Sequence, residues 1–281
     1  MSRIVYLNGA FIPEEEASIS IFDRGFLFAD AVYEVTSVLD GKLVDFDGHM
    51  ARLERSLGEV GMPMPMDREA WLALHRELVV KNGLEEGCVY LQVSRGVADR
   101  NFLFPENVSQ TVVAFTQLKN LAGEKKGLRV VSIPDIRWRR RDIKTVQLLA
   151  ASMSKTGAKK QGKDDVWMVE DGFVTEGSSS NTYIVTSEGA IVTRQLSSSI
   201  LPGITRAAVL KLAEERGFVI EERPFTLDEA KAAQEAFVTS ATSFVLPVVE
   251  IDGTELSGGV PGPTARRLNE IYIEEGRRNA I

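Results

Sequence analysis

The 281-residue sequence has few of the residues that build cysteine- or histidine-based sites. It contains one cysteine, Cys88, so an intrachain disulfide is impossible and a reducing, cytoplasmic location is expected. Its two histidines, His49 and His75, give little basis for a metal site. We therefore expect no resident metal ion.

The sequence also lacks a positive net charge and any long apolar run. The formal charge is -7 at pH 7, which argues against nucleic acid as the main partner because phosphate backbones attract basic surfaces. No apolar segment approaches roughly 18 residues, the length that suggests a membrane-spanning helix. The first residues, MSRIVYLNGAFIP, do not have the basic-then-apolar order of a signal peptide. Small molecules are the expected partners.

Strand-like and helix-like segments mix throughout the chain, which predicts an α/β (α+β) fold in two parts. Residues 1–118 are predicted to form a small N-terminal α/β domain, with a hairpin at Asp40–Gly41 and two amphipathic helices that end at glycines. The polar segment 119–126 is the predicted linker. Residues 127–281 are predicted to form a larger α/β domain.

One candidate nucleophile is Lys144, at the junction of the basic segment RRRDIK and the apolar segment that follows. Apolar residues at 146, 149, 150 and 153 predict a helix whose buried stripe begins two residues after the lysine. A lysine at the edge of a core and beside three arginines, at 139–141, is disfavoured as an ammonium, which exposes a nucleophilic amine. The alternative is a solvated basic cluster.

Four further motifs could bind a polar, phosphorylated ligand. TEGSSSN (175–181) places a carboxylate among hydroxyls, and LPGITR (201–206) opens a helix whose first amides can bind an anion. TSATS (239–243) is a second hydroxyl-rich turn, and HMAR (49–52) places a histidine and an arginine on one helix face. Each has an ordinary alternative as a loop, a helix start, a turn or a surface pair. Together with an amine nucleophile, they are what a pyridoxal phosphate enzyme requires.

The motifs DRGFLFADAVYEV (23–35), DIRWRRRDIK (135–144), VTEGSSSN (174–181) and LPGITR (201–206) resemble those of class IV pyridoxal-phosphate aminotransferases of fold type IV. Within that class the sequence is most similar to the D-amino acid (D-alanine) aminotransferases, over nearly the whole chain. The resemblance implies two α/β domains, with pyridoxal 5′-phosphate between them, in a homodimer. The implied reaction moves an amino group from a D-amino acid, with D-alanine first, to a 2-oxo acid such as 2-oxoglutarate or pyruvate.

The resemblance also implies roles for individual residues. Lys144 corresponds to the Schiff-base lysine, which also moves the substrate α-proton, and Glu176 to the carboxylate that pairs with the pyridine nitrogen. Arg52 corresponds to a phosphate-binding arginine. The other implied cofactor contacts are Ser179, Leu201, Ile204, Thr205, Ser240 and Ala241. The implied substrate contacts are Tyr33, Arg100, Phe102 and Thr242.

The loop GVADRNFLFPE (96–106) departs from the pattern of this branch. Arg100 keeps the arginine that would hold the substrate carboxylate, from a loop that reaches the partner's site, but Phe102 stands where a histidine is expected. Three alternatives stay open: an (R)-selective amine or branched-chain transaminase, a 4-amino-4-deoxychorismate lyase that uses the same lysine, and a pyridoxal-phosphate carrier with a relic site.

Overall fold

A computed structural model describes residues 2–281, in which strands and helices mix along the chain as predicted. The strands are β1 Ile4–Leu7, β2 Ala10–Pro13, β3 Ala31–Leu39, β4 Lys42–Leu43, β5 Gly87–Ser94, β6 Thr111–Leu118, β7 Leu128–Pro134, β8 Asp165–Glu170, β9 Phe173–Gly177, β10 Asn181–Val185, β11 Ile191–Thr193, β12 Ile220–Glu222, β13 Glu235–Ser240, β14 Phe244–Ile251 and β15 Thr254–Glu255. The α-helices are α1 Arg24–Phe28, α2 Phe46–Glu59, α3 Arg68–Asn82, α4 Leu149–Lys160, α5 Ile204–Glu215, α6 Leu227–Ala232 and α7 Pro263–Asn279.

The chain divides into two compact units. The first contains the chain up to Leu121 together with Ile143–Gln147 and Gly276–Ile281. The second contains Ala122–Asp142 and Leu148–Glu275. The sequence analysis placed the two short returning segments in the larger domain, whereas their contacts are with the first unit. Within residues 2–281, no helix combines the length and the apolar character that crossing a bilayer requires.

The first unit is built on an antiparallel sheet with the strand order β2-β1-β6-β5-β3-β4. The predicted hairpin at Asp40–Gly41 is confirmed, and both residues have the positive φ angles, 50° and 71°, that a tight two-residue turn needs. The two predicted amphipathic helices are confirmed as α2 and α3. Their apolar faces bury Leu53, Leu57, Trp71 and Leu78 in one core with the strands.

The second unit is built on a mixed sheet with the order β12-β11-β10-β13-β14-β7-β8-β9, and β15 pairs with β14. The pairs β11–β12, β14–β7 and β7–β8 are parallel. Asn181, the first residue of β10, lies opposite Thr239, near the end of β13. Because β9, β10 and β13 begin or end close to this point, their flanking loops provide polar groups at one edge of the sheet.

The segment that carries Lys144 is extended and lies against β3 of the first unit. Thr145 forms a bridge with Val32, and the backbone N–H of Tyr33 donates to the carbonyl oxygen of Lys144 at 3.0 Å. Ile143 belongs to the apolar core of this unit. These backbone bonds, made by residues more than a hundred positions apart, explain why local periodicity did not reveal the segment's partner.

The predicted buried stripe after Lys144 is wrong. Helix α4 begins at Leu149, and Val146 lies outside it. Leu149 and Met153 are 73% and 59% exposed, while the buried residues of the helix are Ser154 and Ala158. The spacing of apolar residues was helical, but a stretch of extended backbone interrupts the segment before the helix starts.

We predict that His75, buried in α3, makes the first unit unstable in mild acid. Its Nδ1 lies 2.7 Å from the Trp71 carbonyl oxygen, and burial lowers the pKa of the imidazole from 6.5 to about 4. The native state therefore refuses a proton that the unfolded chain accepts below pH 6.5. Stability is complete above about pH 6.5 and falls by roughly 3 kcal/mol as the pH drops to about 4.

Urea unfolding at pH 7 and pH 5 measures this loss. His75→Gln is the matched variant, because its side chain keeps a donor for the Trp71 carbonyl oxygen and has no proton to gain. We expect the variant to lose less stability than the wild type between the two pH values. Equal losses would mean that other groups, such as Glu34 and His49, account for the acid sensitivity.

Candidate active site

Glu176 is the centre of the polar cluster in the second unit. It lies near the end of β9 and is only 3% exposed. One carboxylate oxygen accepts hydrogen bonds from the Asn181 side-chain amide and the Leu201 backbone N–H, both at 2.9 Å. Asn181 also donates to the Leu201 carbonyl oxygen at 2.9 Å. The predicted motifs TEGSSSN and LPGITR are therefore joined around this carboxylate.

The second oxygen of Glu176 accepts a bond from Arg137 at 2.6 Å. Arg137 is itself held by Asp135, which accepts from its Nε at 3.0 Å and from its Nη2 at 2.7 Å. Burial raises the pKa of the Glu176 carboxyl above its usual value, while Arg137 acts in the opposite direction. The result is a fixed carboxylate that can share a proton with a ligand nitrogen. The sequence analysis missed Arg137 and Asp135, although both lie in the DIRWRRRDIK motif.

The arginines next to Lys144 in sequence have carboxylate partners of their own. Arg140 donates to Asp142 at 3.0 Å, and Arg141 forms a two-bond pair with Glu170 at 2.8 and 2.9 Å. Their charge is used within the second unit, so the predicted repulsion of the Lys144 ammonium by this cluster lacks its basis.

The predicted anion site at the start of α5 has the geometry that close approach of a ligand requires. Gly203 caps the helix without a side chain, and the first-turn amides have no partner within the helix. A Cβ atom on Gly203 would lie 2.1 Å from the Asn181 side-chain oxygen, so only glycine fits. Thr205, in the first turn, is 3% exposed. This helix start therefore lies directly beside the Glu176 cluster.

The hydroxyl-rich loops contain one residue that the sequence analysis missed. Ser179, the predicted contact, is exposed, whereas Ser178 is 6% exposed and its hydroxyl has no hydrogen-bond partner among residues 2–281. A buried hydroxyl without a partner is costly and favours a bound polar group. In the second loop, the Ser240 hydroxyl bonds to that of Ser243 at 2.7 Å, next to Ala241 and Thr242.

Lys144 and Tyr33 lie side by side in the first unit. The Lys144 Nζ is 4.1 Å from the centroid of the Tyr33 ring, a favourable ammonium–ring contact. Its backbone N–H donates to the Ser56 hydroxyl at 3.4 Å, and the Tyr33 ring stacks on Tyr90 with centroids 5.5 Å apart. The predicted nucleophile is therefore half-buried against a predicted substrate contact.

Arg52 and His49 are not a surface pair, because both side chains are buried around Glu34. Arg52 is 7% exposed and donates to the two Glu34 oxygens at 2.7 and 2.8 Å, while the His49 ring nitrogen lies 2.7 Å from the same carboxylate. Burial alone would raise the pKa of Glu34, but Arg52 and His49 hold it well below the usual range. Glu34 thus fixes the orientation of the Arg52 guanidinium. It directly follows Tyr33 in the chain, yet no sequence motif singled it out.

The loop that carries Arg100 is exposed and aromatic. Phe102 is 79% exposed, and its ring packs edge-on against Phe28 with centroids 5.7 Å apart. The Arg100 guanidinium lies 5.6 Å from the Phe28 ring and 5.5 Å from the Phe102 ring. The departure from the expected histidine therefore gives Arg100 two aromatic neighbours.

Comparisons with known proteins agree with these two groups of residues. The family Amino-transferase class IV matches residues 31–251. A D-alanine aminotransferase from Staphylococcus aureus (strain N315) is 38% identical over 276 residues, which cover 96% of this chain and 98% of that protein.

Two solved structures are similar over nearly the whole chain. The branched-chain aminotransferase from Thermoproteus uzoniensis with norvaline has a TM-score of 0.88 and 27% identity, covering 98% of this chain and 94% of that one. A second branched-chain amino acid aminotransferase, from the source abbreviated T.th. and solved with pyridoxamine 5′-phosphate, has a TM-score of 0.88 and 26% identity over the same shares. These structures confirm the predicted α/β fold of type IV. The chain therefore belongs to the class IV aminotransferases, which are pyridoxal-phosphate-dependent enzymes.

Proposed function

We propose that the protein transfers the amino group of a D-amino acid, D-alanine first, to a 2-oxo acid such as 2-oxoglutarate or pyruvate. The observation that carries the proposal is the 38% identity to a D-alanine aminotransferase over 96% of the chain. Arg100 supports it, because a guanidinium can bind a substrate carboxylate through paired hydrogen bonds. A cytoplasmic location follows from the single cysteine and stays a prediction of the composition.

The residues present fit pyridoxal 5′-phosphate. Glu176 offers a carboxylate to the ring nitrogen, the buried Ser178 hydroxyl lacks a partner among residues 2–281, and the Gly203 turn leaves space at a helix start. Phosphate would be bound by Arg52 and by the amides of Ile204 and Thr205, with Ser240 and Ala241 contributing from the second turn. When bound, the cofactor supplies a ring that stabilises negative charge at the substrate α-carbon.

The protein's own groups would then move and hold two protons. Lys144 Nζ takes the α-proton of the substrate and returns it on the other side of the reaction. Glu176 keeps a proton at the ring nitrogen, because its orientation is fixed by Arg137, Asn181 and the Leu201 N–H. Leu201 would pack on the ring face, Ser179 would contact the cofactor, Thr242 would contact the substrate, and Tyr33 keeps the lysine in place.

A homodimer is the second part of the proposal. The segments 19–26 and 97–104 expose apolar side chains and are bonded to each other, since the Ala98 N–H donates to the Phe22 carbonyl oxygen and Val97 bridges Asp23. The exposed members of this apolar patch are Ile19, Ile21, Phe22, Phe26, Val97, Phe102, Leu103 and Phe104. A contiguous exposed patch of this kind is typical of a protein–protein interface. We propose that it packs against a second copy, so that the Arg100 loop serves the partner's site.

An (R)-selective amine transaminase is the second candidate, favoured by one observation. Phe102 places an exposed ring beside Arg100 where a hydrogen-bond donor is expected. A ring adds apolar surface and removes a donor for a carboxylate, which should raise tolerance of donors that lack one. Turnover of D-alanine, L-leucine and (R)-1-phenylethylamine, each with 2-oxoglutarate, separates the candidates. We expect D-alanine to be used best and L-leucine not to be used.

We predict that Glu176→Gln lowers kcat by about 100-fold and leaves cofactor affinity nearly unchanged. Gln keeps the size of the side chain and can still accept from Asn181 and Leu201, but it lacks the charge that keeps a proton at the ring nitrogen. Stopped-flow measurement of the half-reaction with D-alanine and fluorescence titration of the cofactor test the two parts. Glu188→Gln, in an exposed loop, is the control. An unchanged half-reaction rate would contradict the assigned role.

A further inference from the structure

We propose that Phe104 is a positioning residue for amino-acid specificity, through a clamp made with Arg24, Arg95 and Asp30 that holds the Arg100 loop. The inference rests on the proposed function, because it assumes that Arg100 binds the substrate carboxylate. The four residues of the clamp all belong to the first unit.

Asp30 joins the two arginines of the clamp. Its carboxylate accepts from Arg24 Nε at 2.7 Å and from Arg95 Nε and Nη2 at 2.8 and 3.1 Å. Arg24 and Arg95 are 2% and 8% exposed. Arg95 is also anchored to the end of α2, since it donates to the Val60 carbonyl oxygen at 2.6 Å. Both guanidiniums are thus rigid groups within the folded unit.

Two contacts connect these rigid groups to the loop. The Arg95 guanidinium lies 3.6 Å from the centroid of the Phe104 ring, and that of Arg24 lies 5.7 Å from it. Arg24 Nη1 donates to the carbonyl oxygen of Asn101 at 2.7 Å. The first contact fixes the far end of the loop, and the second fixes the backbone directly after Arg100.

Phe104 has little packing role of its own to explain this arrangement. It is 60% exposed, so its ring does not fill a core. A cation–ring contact with a desolvated guanidinium is stronger than one in water. Since residues 99–110 form no helix or strand, the loop otherwise has few backbone bonds to order it. An ordered loop presents Arg100 without an entropy cost on binding, and a loose loop loses that advantage.

The test compares Phe104→Leu with Phe104→Tyr. Leucine keeps an apolar side chain but has no ring face, and tyrosine keeps the ring and is the conservative control. Leu103→Ala, which removes apolar area from the neighbouring exposed residue, controls for loss of the apolar patch. Each variant is measured for hydrogen exchange of the amides 99–104, for kcat/KM with D-alanine and with (R)-1-phenylethylamine, and for oligomeric state.

For Phe104→Leu we expect faster exchange in the loop and a three- to thirty-fold lower kcat/KM for D-alanine, with the amine changed less than two-fold. Phe104→Tyr should behave as the wild type, and Leu103→Ala should not change the ratio between the substrates. Unchanged exchange in Phe104→Leu, or an equal loss with Leu103→Ala, would overturn the proposal.

Arg100→Ala, measured in parallel, distinguishes failure of the clamp from failure of the proposed function. If Arg100→Ala changes the D-alanine to amine ratio and Phe104→Leu does not, the clamp has no role in specificity. If neither variant changes the ratio, Arg100 does not bind the carboxylate and the proposed function is wrong at that point. The specificity role of the clamp is then overturned as well, and faster exchange in Phe104→Leu shows only that the clamp orders the loop.

Discussion

Lys144→Ala should lower the rate of transamination by at least about a thousand-fold. The expected size follows because the variant loses both the covalent attachment point and the group that moves the α-proton, and general acid–base catalysis alone contributes about 10² to 10⁴. The structure motivates the choice of residue, since Lys144 is half-buried with its Nζ 4.1 Å from the Tyr33 ring centroid.

Two measurements make this prediction independent of overall activity. Borohydride reduction of the cofactor-loaded protein should add the cofactor mass to the peptide that contains Lys144, and to no peptide of the variant. Lys160→Ala, in the exposed last turn of α4, should keep both the label and the rate. Labelling of another lysine in the wild type would overturn the assignment of Lys144.

Arg100→Ala should reduce kcat/KM for D-alanine by about ten-fold to a few hundred-fold. A guanidinium facing a carboxylate makes paired hydrogen bonds, each worth roughly 1.5 to 3 kcal/mol when a group is charged. An amine such as (R)-1-phenylethylamine has no carboxylate to lose and should be nearly unaffected. The ratio of kcat/KM values for the two donors is the measurement.

Phe102→His is the complementary change in the same loop. The exposed ring offers no hydrogen bond, whereas histidine adds a donor beside Arg100. We expect the ratio to shift toward D-alanine in this variant. If Arg100→Ala lowers both donors equally, the arginine has a structural role and the amine transaminase becomes the better assignment.

Much of the fold could be predicted from the sequence because its signals are local. The Asp40–Gly41 hairpin needs positive φ angles, and helices α2 and α3 have amphipathic patterns that end at glycines. The segment around Lys144 could not be predicted in this way. Its partner is β3, more than a hundred residues earlier, and the bridge between Val32 and Thr145 leaves no periodic pattern in the sequence.

The candidate site shows the same division. Glu176 and the Gly203 turn stand in recognisable motifs, and the structure brings them together through Asn181. Glu34 was missed because an acidic residue within an apolar strand pattern has no signal of its own. Only the fold reveals that it is fully buried beneath Arg52. Ser178, rather than its exposed neighbour, was likewise visible only from burial.

The most direct test of the central claim is chiral analysis of the products formed from each enantiomer of alanine with 2-oxoglutarate. The account predicts that D-alanine yields pyruvate and D-glutamate in equal amounts, and that L-alanine yields neither. Production of L-glutamate from L-alanine or L-leucine, with no turnover of D-alanine, would contradict it.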